Sequence, residues 1–162
     1  RDPRSVAISW SHHLNETIEK TVEIMINKNQ FMEPDNNNGL LEFYSSWKIN
    51  YLSLKKSKYP KLIIKYEDLK KNPFVNFKNI LNFISKYKKI EVDDKKIHKI
   101  IKKCEFQNLQ SQEMKKGFKE KKGNDLFFRK GEIDEWKEKL PHSLNELIKK
   151  EFKEEMIELG YL

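Results

Sequence analysis

The chain has 162 residues, 37% of them hydrophobic and 36% charged, with a net charge of +8; that balance suits one domain or part of a larger one, allows a modest core and excludes wholesale disorder. The single cysteine, Cys104, excludes an internal disulfide framework and fits a reducing compartment. No apolar run reaches the ~18 residues of a membrane span, and the basic excess fits an anionic partner: a nucleotide, a nucleic acid or a membrane surface.

The chain opens at Arg1 rather than Met, on Arg-Asp-Pro-Arg-Ser-Val-Ala-Ile-Ser, and reads as the middle of a longer protein. Asp2 followed by Pro3 predicts a helix start running through Val6, Ala7 and Trp10. A second helix is expected over Glu16 to Lys28, with Ile18, Val22 and Met25 on one face, then a loop over Glu33 to Gly39 on composition. Leu40, Tyr44, Trp47, Tyr51 and Leu54 recur at helical spacing and predict an amphipathic helix that Pro60 ends. Leu62, Ile63 and Ile64 are a short apolar run between turns and read as a buried strand of a parallel sheet, whose neighbours must lie elsewhere. Phe74, Phe77, Ile80, Leu81 and Ile84 form another helix face, and Asp93 caps a helix carrying Ile97, Ile100 and Ile101. Gln110 to Asp125, rich in lysine and poor in apolar residues, reads as a mobile loop. Ser143 and Glu146 are spaced as a capping box for a last helix that Gly160 terminates.

Several residues are candidates for chemistry. Arg1 precedes a helix N-terminus, where free N–H groups favour an anion. Ser9 lies about two turns on at ~3.6 residues per turn, and by themselves these residues read as an ordinary capped helix. Tyr66 follows the expected strand, where ligands of open α/β sheets bind; a base contact and a half-buried tyrosine weigh equally there. Phe106 could stack on an aromatic ring, although alone it reads as a core residue. Arg129 offers a planar fork of donors to a phosphate, beside Lys130, and Gly131 lets backbone approach a ligand. Adjacent His12 and His13 point about 100° apart on a helix, and without a second cysteine or an acidic cluster no metal is assigned. Cys104 reads as a small buried hydrophobe. The lysine runs sit among Asp and Glu and read as solvated faces, against a nucleic-acid stripe.

Taken in order, three segments resemble the sulfotransferase family of the soluble cytosolic type. Arg1 to Ser9 is similar to its Arg-x-Pro-x-x-x-x-x-Ser segment, Lys65 to Leu69 to its Tyr-Glu-Asp-Leu segment, and Phe127 to Lys137 to its C-terminal Phe-x-Arg-Lys-Gly…Asp-Trp-Lys signature. The resemblance spans nearly the whole chain, residues 1–162, as the C-terminal portion of a single sulfotransferase domain. It implies an α/β fold with a P-loop-kinase-like parallel sheet and flanking helices, of which this would be a largely helical C-terminal fragment. It also implies transfer of a sulfuryl group from 3′-phosphoadenosine 5′-phosphosulfate (PAPS) to a hydroxyl or amine of a small acceptor, in the cytoplasm, without metal, nucleic acid or membrane. Carried over by position, Arg1 and Ser9 would bind the 3′-phosphate of PAPS, Tyr66 would contact the adenine, Phe106 would stack near it, and Arg129, Lys130 and Gly131 would close over the 3′-phosphate.

The family's phosphosulfate loop with its Lys, and its catalytic His, match nothing here, so no catalytic residue is assigned and the chain is expected to be inactive alone. Asp134 stands where the signature usually has a second Gly, and Cys104-Glu105-Phe106 where the family often has Thr-Ser-Phe. The family's dimer motif is matched at Lys137 and Glu146, but Pro141 and His142 replace its Thr-Val. The acceptor would meet Trp10 to His13, Gly39 to Trp47 and Gln110 to Asp125. The rival readings are a catalytically dead nucleotide-binding scaffold and a basic helical module for nucleic acid.

Overall fold

The computed structural model describes residues 1–32, 41–121 and 125–162. The loop expected over Glu33 to Gly39 lies outside them, as does Leu40. Ten helices and one hairpin follow in chain order among the described residues. They are α1 (Pro3–Leu14), α2 (Ile18–Ile26), β1 (Phe31–Met32), β2 (Glu42–Phe43), α3 (Trp47–Lys56), α4 (Tyr66–Lys71), α5 (Pro73–Ser85), α6 (Asp94–Lys103), α7 (Phe106–Lys116), α8 (Trp136–Lys139), α9 (His142–Glu151) and α10 (Lys153–Glu158). The chain forms two units: Arg1 with residues 60–133, and residues 2–59 with 134–162.

The second of these units holds the main core. The Asp2 carboxylate accepts from Arg4 N at 2.9 Å and caps α1, with Pro3 at its first position. Thr17 and Ser46 cap α2 and α3 through their hydroxyls. The apolar faces of α1, α2 and α9 bury Ala7, Ile8, Val22, Met25 and Ile148, joined by Leu140, Phe152 and Met156. Arg4, itself buried, forks onto both Asp2 oxygens, lies 3.7 Å over the Trp136 ring and donates to the Tyr161 carbonyl at 2.8 Å. That carbonyl is presented by a C-cap in which Gly160 N bonds the Ile157 carbonyl and Tyr161 N bonds the Met156 carbonyl, with Gly160 at φ +71°.

The other unit packs α4, α5 and α6 side by side. Asn76 donates from its side chain to the Asp68 carbonyl, and His98 lies on Phe74 with ring centroids 4.4 Å apart. Ile97 is its one fully buried large aliphatic residue among those described. Asp93 caps α6, accepting from Lys95 N and Lys96 N, as its position before the Ile97–Ile100–Ile101 face predicts.

Helices dominate the described residues, as expected of a largely helical fragment; the parallel sheet that the resemblance implies for the whole fold is not seen among them, and the strands present are the antiparallel pair β1–β2, with Phe31 opposite Phe43 and Met32 opposite Glu42. Five other expectations are corrected. Leu62 to Ile64 is unpaired and unburied, with Leu62 42% and Ile63 50% exposed, because a strand exists only with a ladder partner. The helix expected from Leu40 starts at Trp47: Ser45 takes φ +55° and Ser46 becomes the cap, so Tyr44 falls outside it. The first part of the expected loop Gln110 to Asp125 is helical, within α7. Ser143 lies inside α9, which begins after Pro141 without a side-chain cap, and Glu146 bonds Lys149 instead. Cys104 is exposed rather than buried: it is the C-cap of α6, beyond the last helical turn.

Candidate functional site

Within the unit formed by Arg1 and residues 60–133, residues far apart in sequence meet around Gly131. The backbone after Pro60 has no regular structure up to Lys65, which is extended, and then enters α4 at Tyr66, its first residue. This places the Tyr66 hydroxyl 3.4 Å from the Gly131 carbonyl, a long hydrogen bond in which the hydroxyl donates. The Arg1 guanidinium carbon lies 4.5 Å from the Tyr66 ring centre, and Arg1 Nη2 donates to the Glu132 carbonyl at 2.9 Å. A cation over an aromatic face is attracted by the ring quadrupole.

Gly131 is a glycine for a stated reason. Its φ of +66° is a conformation that side chains disfavour, and a Cβ there would sit 2.5 Å from Cδ2 and 2.7 Å from Cε2 of Phe106. The backbone therefore rests on the Phe106 ring, which the first residue of α7 presents. Lys70 Nζ lies 5.5 Å from the centre of the same ring. Arg129 is half-buried and Lys130 exposed.

Four of the residues expected from the sequence are thus linked in a chain of contacts, Arg1 to Tyr66, Tyr66 to Gly131 and Gly131 to Phe106, and Arg129 and Lys130 are carried on the same strip of backbone. Ser9 is exposed on α1 and belongs to the other unit. His12 and His13 are half-exposed near the end of α1, and among the described residues no His, Cys, Asp and Glu cluster could hold a metal ion.

Two residues of the site were not anticipated. Gln110 donates from Nε2 to the Phe128 and Arg129 carbonyls, and Glu113 accepts from the N–H groups of Phe127 and Phe128. The signal was present: Phe106, Gln110 and Glu113 follow at spacings of four and three, one face of a helix.

A basic, aromatic-lined cluster around a left-handed glycine is suited to holding an anion beside a planar ring. The class of protein is set by comparison. The family model described as a sulfotransferase domain matches residues 1–160, and the chain belongs to that family. It is 30% identical over 167 residues to a protein named flavonol sulfotransferase-like from Flaveria bidentis, covering 100% of this chain and 54% of that protein. It is 35% identical over 95 residues to cytosolic sulfotransferase 12 of Arabidopsis thaliana, covering 57% and 28%. The structure of mouse sulfotransferase SULT7A1 complexed with PAP superposes with a TM-score of 0.70 at 24% identity, over 96% of this chain and 56% of that one, a likeness of fold. The chain spans about half the length, or less, of the curated relatives it matches. No helix among the described residues is long and apolar enough to cross a membrane.

Proposed function

We propose that this chain is the donor-nucleotide-binding part of an enzyme that moves a sulfuryl group from PAPS to a hydroxyl or amine of a small acceptor. The observation that carries the proposal is the meeting of Tyr66 and Phe106 at Gly131, with Arg1 on the Tyr66 ring and the Glu132 carbonyl. Tyr66 and Phe106 offer aromatic surface to the adenine. Arg129 and Lys130 offer charge-assisted donors to the 3′-phosphate, with Gly131 admitting it close to backbone. Arg1 adds a guanidinium to the same phosphate. That the nucleotide is PAPS draws support from family membership and from the PAP held by a relative in fold.

Sulfuryl transfer, like phosphoryl transfer, gains chiefly from in-line positioning and cations at the charged oxygens. The residues assigned here act away from the sulfur. They bind the part of the donor that does not react, and such remote binding energy orients the part that does. No residue of this chain is assigned a catalytic role. A cytoplasmic setting fits the relatives named cytosolic.

Calorimetric titration of the full-length protein with 3′-phosphoadenosine 5′-phosphate and, separately, adenosine 5′-phosphate tests the assignment. The nucleotide bearing the 3′-phosphate binds more tightly, and Arg129→Ala removes roughly 1.5–3 kcal/mol of that preference, ten- to a hundredfold in affinity. Equal affinity for the two nucleotides in the unaltered protein would mean that no 3′-phosphate site is built.

A further inference from the structure

Glu113 differs from the other acidic residues of its unit. It is 5% exposed, and its two carboxylate oxygens each accept a main-chain N–H, Phe127 N at 2.7 Å and Phe128 N at 2.9 Å. One turn earlier on α7, Gln110 Nε2 donates to the Phe128 carbonyl at 2.7 Å and the Arg129 carbonyl at 3.1 Å. Two side chains on one helix face thereby bond four main-chain groups of three successive residues. Phe127 and Phe128 lie in neither helix nor strand, and side chains of α7 bond their main-chain groups. A buried carboxylate is costly unless its oxygens are satisfied, and bonds from amides to an ionised acceptor are among the strong ones. The Phe118 ring packs on both phenylalanines, at 4.5 Å and 5.2 Å between centroids, and closes the segment from the side-chain direction.

The consequence lies one residue further along. Phe128 leads directly into Arg129, Lys130 and Gly131, and Gly131 rests on Phe106, the first residue of the helix that carries Gln110 and Glu113. The strip bearing the two cations is therefore fastened to α7 on both sides of them. We propose that Glu113, seconded by Gln110, is a positioning residue that fixes the Phe127–Arg129 backbone and so sets the geometry in which Arg129 and Lys130 meet an anion. This rests on the reading of Arg129 to Gly131 as the strip that closes on the 3′-phosphate. No contact between Glu113 and the nucleotide is involved.

Glu113→Gln in the full-length protein tests it, since the amide replaces one acceptor by an NH₂ group facing a main-chain N–H. Two readouts are taken. In the unaltered protein the Phe127 and Phe128 amides exchange slowly with deuterium, and in the variant both lose that protection. The ratio of affinities for 3′-phosphoadenosine 5′-phosphate and adenosine 5′-phosphate falls about tenfold. A merely structural role would lower both affinities together and leave the ratio unchanged, and that result overturns the proposal. So does exchange protection that survives the substitution. Gln110→Met, which keeps the volume and removes the donor, serves if Glu113→Gln does not fold; it lowers the same ratio in the same direction, and an unchanged ratio overturns the proposal. If the unaltered protein shows no preference between the nucleotides, the nucleotide assignment falls and the positioning role falls with it. Protection at Phe127 and Phe128 then shows whether the latch itself is present, which separates the two failures.

Discussion

Gly131 joins conformation to packing at a single position. Its φ of +66° disfavours any side chain, and the Phe106 ring occupies the space a Cβ would take. Alanine there meets both penalties, and Gly131→Ala is expected to lose about 2 kcal/mol or more in denaturant unfolding. Part of that loss is returned when Phe106→Ala is added, because the truncated ring opens the space; strictly additive losses would refute the packing account. Residue identity alone did not make this site legible: Arg1 by itself reads as part of a capped helix and Phe106 as a core ring. Arg1, Tyr66, Phe106 and Gly131 were legible through their order within the segments that resemble the family's. Gln110 and Glu113 were not, because a glutamine and a glutamate in a lysine-rich stretch carry no distinguishing chemistry until their main-chain partners are visible.

Local signals hold at three helices. Asp2–Pro3 and Asp93 begin α1 and α6, and the Phe74–Ile84 face defines α5. These signals act within one or two turns, so the sequence contains all of their causes. The capping box at Ser143 failed because Pro141 starts α9 earlier, leaving Ser143 inside the helix. The strand at Leu62 failed because pairing is a property of two segments and the sequence of one cannot supply it. The Asp93 cap also has a pH signature. Main-chain hydrogen bonds from Lys96 and then Lys95 hold its carboxyl below the ordinary value of 3.8. A carboxylate stabilised in the folded state contributes fully above its unfolded value, and the contribution disappears as pH falls through the folded one. Asp93→Asn keeps a capping oxygen that does not titrate. The stability of the unaltered protein relative to this variant should therefore decline as pH falls through and below 3.8, measured by urea unfolding. A difference independent of pH would exclude the cap as its source.

At the scale of the molecule, charge is unevenly shared. Arg1 and residues 60–133 carry 21 Lys and Arg against 10 Asp and Glu, a net +11, whereas the other unit is at −3. The unit that holds the candidate site thus carries all of the positive excess, a field that favours the approach of an anion such as the nucleotide proposed above. The association rate of 3′-phosphoadenosine 5′-phosphate, followed by stopped flow, should fall about tenfold between low and several-hundred-millimolar salt, as screening shortens that field. A rate indifferent to salt would show that the excess plays no part in capture. The division into units has a further consequence, in time rather than in space. The core brings Ala7, Ile8, Val22 and Met25 together with Leu140, Ile148, Phe152 and Met156, residues more than a hundred positions apart. On the ribosome the first group emerges long before the second exists. The apolar faces of α1 and α2 must wait, uncovered, while the intervening residues are made, and that interval is when aggregation competes with folding. Helices α9 and α10, made after the intervening residues, complete the core.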